Sequence, residues 1–472
     1  MSTQRLISTS LVLLAAACSS GGGISGTGNM SSGFAFGPID GFGSVIVNGV
    51  RFETSAATFT AEGVPATQAD LAIGQVVEVQ GDFATGVATS VTYRSEIKGP
   101  VTSATVTDPL LGLGTFVVLG QTVRANAQTV YGGTTLELIG VNDLLEVSGP
   151  RNADGSVVAT YIEAKAVLPE YKVVGVAGNA TATTFTIGGL NVDYSSADNS
   201  GLPGGLVNAG DRVEARTAPA GFTAPSTFVA DRVELANRPG IGAGVRIELE
   251  GFVTDFVSPG SFNVLGIPVR TTTATVFVNG SVASLANGVK VEVEGNTDGN
   301  GVLVAESCEI ESTGAIRTEW EIEAIDLANA TVTVLGIQWQ IRSTTELEDD
   351  SDAEVDPLNL TDLFIGDTVQ VRGFRDGSSL IASRLERDDP QSDAELRGPV
   401  TAVAPGGTFD FEILGVGIRS DGSTVHRDEN EEVITQADFL SRLSSGVFVE
   451  AEWDPFMGTA GAADELSLEL DD

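Results

Sequence analysis

Val77-Glu78-Val79-Gln80-Gly81 decides how this chain is read, because the same phrase, apolar-x-Val-x-Gly, keeps returning. It recurs as Leu145-Glu146-Val147-Ser148-Gly149, Val291-Glu292-Val293-Glu294-Gly295 and Val369-Gln370-Val371-Arg372-Gly373. Val213-Glu214-Ala215-Arg216 and Val447-Phe448-Val449-Glu450-Ala451 are weaker copies. Apolar residues at every second position describe a strand with one buried face. A glycine stands a few residues before each copy: Gly74, Gly140, Gly210, Gly288, Gly366 and Gly446. Their spacing of about 66 to 80 residues is a repeat at the scale of a small domain.

Working outward, each unit carries an earlier strand that ends in a glycine turn and is followed by a short strand. Val45-Ile46-Val47-Asn48-Gly49 leads to Val50-Arg51-Phe52, and Phe262-Asn263-Val264-Leu265-Gly266 leads to Ile267-Pro268-Val269. Strand, glycine turn, strand is a hairpin signature. A closing strand follows the phrase, as in Val157 to Glu163, Phe228 to Glu234 and Ile381 to Glu386. Opening strands carry Gly-x-Val, as in Gly99-Pro100-Val101, Gly251-Phe252-Val253 and Gly398-Pro399-Val400. The expected fold is all-β, about six tandem five-stranded OB-like β-barrels. A propeller blade is shorter than this period. The expected units are 33–96, 97–168, 169–238, 244–312, 315–388 and 392–472, with open joints at Asn237 to Gly240 and Arg387 to Pro390. Barrels this small are marginal alone, so neighbours are expected to pack together.

The N-terminus reads as an export signal. Arg5 precedes a short apolar run from Leu6 to Ala17, too short to span a bilayer permanently. Ala15-Ala16-Ala17-Cys18 resembles a lipobox, so residues 1–17 are expected to be removed and Cys18 lipidated, anchoring the chain to a membrane. Ser19 and Ser20 follow in place of an aspartate, which by that resemblance directs the protein to the bacterial outer membrane. Residues 18–32, rich in Gly and Ser, read as a flexible tether. With Cys18 acylated, Cys308 has no partner and is expected to be a buried thiol.

Gly41-Phe42-Gly43-Ser44-Val45-Ile46-Val47-Asn48-Gly49-Val50-Arg51-Phe52, after Gly22-Gly23-Ile24-Ser25-Gly26-Thr27-Gly28, resembles the start of bacterial lipoproteins built of DUF5666 repeats. The resemblance runs through the mature chain, strongest in the first unit and loosest in the last. It implies an OB-like envelope module and carries over no catalytic residue.

Charge narrows the partners. With 64 Asp and Glu against 25 Lys and Arg, the net charge is −39, which repels a phosphate backbone and excludes nucleic acid. No catalytic constellation stands out. The single histidine, His426, sits among Arg427, Asp428 and Glu429 and is expected in an exposed loop. Zinc would need more His and Cys than the chain has. The stretch Asp349, Asp350, Asp352, Glu354, Asp356, within an acidic insertion from Glu346 to Asp362, and the turn Asn296 to Gly301 offer oxygen ligands for calcium. Neither matches an EF-hand, and both read as solvated loops. Trp320, Trp339 and Trp453 are expected in cores or interfaces. Glu78, Glu146, Glu292 and Glu294 alternate with apolar neighbours and are expected to face water with ordinary pKa values.

The expected function is therefore non-enzymatic: an envelope lipoprotein that binds or scaffolds, with no cofactor and no metal. Candidate partners are a glycan, a peptide or a basic envelope protein. A polysaccharide hydrolase using Asp and Glu is the alternative, favoured by a cleft with two inward carboxylates. A structural spacer is a third reading.

Overall fold

In the first unit, the alternating stretches pair in a closed order. The opening strand Ser32–Gly41 lies between the hairpin strand Val45–Val47 and the phrase strand Val76–Asp82. Val50–Phe52 continues the hairpin, and after Glu53 the chain runs parallel to the closing strand Val87–Tyr93. That closing strand pairs antiparallel with the phrase strand, which completes the barrel. Numbering strands by position within the unit, the order is 1-2-3-5-4-1, with the third and fifth parallel. This is the OB arrangement.

The other units repeat it. Their opening strands are Ile97–Asp108, Tyr171–Gly178, Arg246–Ser258, Ile316–Asp326 and Ala394–Val403. Each pairs with its own hairpin and its own fourth strand. Parallel pairing of third and fifth strands recurs in every unit. A computed structural model describes residues 32–236, 241–311, 314–404, 408–454 and 462–469. Cys18, the signal segment, most of the tether and the joint at 237–240 lie outside the described residues.

The glycine that ends the phrase has a steric reason. At Gly295 the fourth strand bulges against the fifth, and a Cβ there would lie 2.1 Å from the Val304 carbonyl oxygen. Gly149 and Gly373 meet Val158 and Ile381 in the same way. Gly295→Ala should therefore cost about 1–3 kcal/mol, because the carbonyl it meets belongs to a paired strand and yields little. A urea-unfolding midpoint equal to wild type would contradict this.

The glycine before the phrase turns the chain with positive φ in five units, as at Gly288 (φ 88°), whose N–H bonds the Val253 carbonyl at 2.9 Å. In the second unit that residue is Asn142 (φ 80°), bonding Val101 at 2.9 Å, and not Gly140. Asparagine tolerates the left-handed region, so the turn survives without glycine.

A threonine clamp recurs in four units. Thr129, Thr275, Thr345 and Thr424 each accept an N–H from three residues earlier at 2.8–2.9 Å. Each also donates to the carbonyl of Ala159, Ala305, Ala382 or Ala463 at 2.6–2.7 Å. One hydroxyl thus ties the third strand to the fifth where the barrel closes.

The units do not pair simply in chain order. The opening strands of units two and three pair, as do those of five and six. Gly33 to Phe36 of unit one runs parallel to Arg246 to Leu249 of unit four, and Phe36 enters the core of unit four. Units two and three share one continuous core, and units five and six another.

Units one to three also meet on buried charge. The Lys172 ammonium, wholly buried, lies 2.8 Å from Glu62 and 3.6 Å from Glu214, while Lys98 reaches Glu62 and Glu146. Burial alone would raise the Glu62 pKa, but Lys172 and Lys98, with hydrogen bonds from Lys172 and Ser95, lower it to about 2.

Candidate functional site

Pairing unit one with unit four brings five of the six units around a common cavity of about 1430 Å³; among the described residues, unit three contributes none of its lining. Nine carboxylates line it against four cations: Asp40, Glu248, Glu250, Glu292, Glu294, Glu309, Glu311, Glu346 and Asp376 face Lys290, Arg342, Arg372 and Arg375. Six of the nine come from unit four. Strand alternation puts Ile247, Leu249, Val291 and Val293 in its core and the intervening glutamates on its outer face, which forms a cavity wall.

Register sets these acids side by side. Glu250 stands opposite Glu292, and Glu292 opposite Glu309, on three adjacent strands. Like charges abreast on a sheet are destabilising unless something compensates them. Lys290 compensates part of the row, with Nζ 2.6 Å from Glu250, 2.7 Å from Glu311 and 3.1 Å from Gln128 Oε1. Arg246 pairs with Glu294, Asn279 donates to Glu309 at 2.9 Å, and Arg342 lies 2.6 Å from Asp376.

Two of the six unit-four carboxylates are left over. Among the described residues Glu248, 3% exposed, and Glu292 have neither a hydrogen bond nor an ion pair within 4 Å. Burial pushes Glu248 up to about 8, against the pull of Arg246 and with Glu250 adding. Burial, then Glu248, Glu311, Glu250 and Glu309, pushes Glu292 up to about 10. On the facing wall, Asp40 is also raised, by burial and then by Glu250 and Asp376.

Several sequence expectations are corrected. Glu292 does not face open water with an ordinary pKa, because its outward face meets other barrels. Glu146 is 5% exposed, accepts from Tyr93 at 2.8 Å and pairs with Lys98. His426 is not an exposed loop residue. It is the inward member of the strand Val425–Arg427, 3% exposed, edge-on to Phe439 at 5.2 Å. Burial lowers its pKa. The helix Gln436–Arg442, capped by Thr435, carries Phe439 over it.

The acidic insertion is not wholly a solvated loop either. Glu346 to Asp349 continue a strand beside Arg384 to Arg387, and the buried Asp349 carboxylate pairs with Arg387, which lowers its pKa. Next to it, Asp350, Glu386 and Asp388 bring one ligand oxygen each within 4.8 Å, and Glu386 is paired to Arg384 at 2.7 Å. In the other acidic turn, Asp298 accepts N–H bonds from Asn300 and Val302, which fixes a strand connection.

Cys308 is buried and its thiol is pushed up to about 12 by burial. Trp339 fills the unit-five core, donating to Thr318 at 2.9 Å, and Trp320 and Trp453 pack against the same core. Among the described residues, Glu346 of the insertion is the one sequence candidate outside unit four that lines the cavity.

No curated protein and no solved structure matches this chain. The family described as Domain of unknown function (DUF5666) matches four times, at residues 36–92, 98–163, 250–309 and 321–386. These segments fall in units one, two, four and five, and the two unmatched units share their strand order. Since the matches cover more than half of the 472 residues, the chain belongs to the DUF5666 family.

Proposed function

We propose that this chain is an exported lipoprotein, held to the bacterial outer membrane through Cys18, that binds a positively charged envelope ligand in the cavity between its barrels and carries out no catalysis. One observation carries the reading: Glu248 and Glu292 line an acid-rich cavity without a counter-charge of their own. A fold tolerates stacked carboxylates at a cost in stability, and an arriving cation repays that cost locally. Of the partners that suit an envelope protein, a neutral or acidic glycan gains nothing from such a wall, whereas a basic peptide or amine does.

The polysaccharide-hydrolase reading draws on the same inward carboxylates. Hydrolysis, however, needs two acids driven apart, one protonated and one ionised. Glu248, Glu292 and Asp40 are all driven in the same direction, which favours binding.

The test has two arms. The mature chain should turn over no substrate in a panel of peptides, esters, phosphates and glycans; turnover lost in Glu292→Gln would establish the hydrolase instead. In a lipoprotein-competent host, Cys18→Ser should abolish acyl labelling and release the protein from membranes. An unlabelled wild-type chain would refute the anchor.

A further inference from the structure

We propose that the cavity ligand is a linear aliphatic polyamine, laid across three strands of unit four with its ammonium groups against Glu248, Glu292 and Glu309. This deepens the cavity reading above and rests on it.

The protein already displays how an ammonium is held on this wall. Lys290 Nζ sits between carboxylates of two strands, Glu250 and Glu311, and takes an amide oxygen from Gln128. One step along the sheet the pattern of acids continues, but the ammonium is missing. Glu292 lies between Glu250 and Glu309 in register, and Glu248 adds a side chain 97% buried that lines the cavity with no partner.

Spacing selects the ligand. Glu309 and Glu292 stand opposite each other on strands ~5 Å apart, Glu248 lies diagonal to Glu292 at about 7–8 Å, and ammonium groups joined by short methylene runs recur at comparable distances. A single divalent cation with oxygens at about 2.4 Å would need its carboxylates drawn together. Among the described residues the three carboxylates that do approach within 4.8 Å are Asp350, Glu386 and Asp388, which do not line the cavity. The methylenes would lie against apolar cavity surface supplied by Val278, Ile310 and Phe374.

Binding should release protons. Glu248 and Glu292 are largely protonated in the empty cavity at neutral pH and must ionise to meet an ammonium, so affinity rises with pH until the amines themselves lose charge.

The experiment is calorimetric titration of the full mature chain at about pH 8 with spermidine, tetralysine, calcium chloride and butylamine, each separately. Spermidine should saturate the chain, bind at least about tenfold tighter than calcium or butylamine, and release protons, detected by comparing buffers of different ionisation enthalpy. Glu292→Gln and Glu248→Gln should each weaken spermidine by about tenfold or more, while Asp350→Asn leaves it unchanged. Spermidine that fails to bind, binds no better than calcium, or ignores both cavity substitutions overturns the proposal. Tetralysine binding that depends on Glu292, without spermidine binding, overturns the polyamine and leaves the cationic-ligand reading standing. If neither polycation binds, both fall. Retained thermal unfolding checks that each variant folds, and Glu309→Gln replaces any that does not.

Discussion

Replacing Lys172 with alanine should lower stability by about 3 kcal/mol, because it strips the buried ammonium from between Glu62 and Glu214. That is the lower end for breaking a buried pair, since Lys98 and Arg216 still face Glu62 at 3.7 Å. The unfolding midpoint should fall by roughly 6–12 °C. Lys172→Met combined with Glu62→Gln should recover much of the loss, because removing both charges avoids stranding one. A single variant as stable as wild type would show that the three units do not meet on this charge.

The same hub predicts an acid limit. Glu62 is held at about 2 in the folded chain, against an ordinary value of 4.5. The folded state therefore holds this proton more weakly than the unfolded chain. Its contribution is complete above an ordinary 4.5 and is lost as pH falls through about 2.

The second large effect has the opposite sign. Glu292, raised to about 10, keeps a proton in the folded state that the unfolded chain has already released. Its contribution is complete below its ordinary value of 4.5 and is lost as pH rises toward 10. From about pH 6 to about pH 9 this should remove about 1–2 kcal/mol, less than the full linkage slope because water enters the cavity. Glu292→Gln should flatten that decline and be the more stable protein at about pH 9. Equal pH profiles for the two chains would contradict the cavity electrostatics.

Much of the fold was legible because it is written locally. The phrase glycines meet a neighbouring carbonyl, and the alternating Val and Glu face core and exterior, as at Val291 and Glu292. The hairpins could be read even where leucine occupies the turn. Leu119 and Leu265 take positive φ, and their side chains settle over Gly99 and Gly251 of the opening strands. Gly140 misled because asparagine does the same work two residues later.

The site was not legible, for a physical reason. Alternation says that Glu292 points out of its own barrel, but not what stands opposite. That depends on Gly33 to Phe36 pairing with a strand more than two hundred residues away. The threonine clamps were hidden likewise, since Thr is an ordinary strand residue until its carbonyl partner is known. His426 was hidden for a related reason: alternation counted from Val425 turns the imidazole outward, whereas the strand Val425–Arg427 buries it against Phe439.

Carbon-13 NMR of the full mature chain, labelled at glutamate carboxyl carbons and titrated without added amine, tests the cavity most directly. One resonance should titrate near pH 10 and vanish in Glu292→Gln, with a second near 8 that vanishes in Glu248→Gln. If every glutamate instead titrates near the ordinary 4.5, the acids face open solvent and the cavity is no binding site.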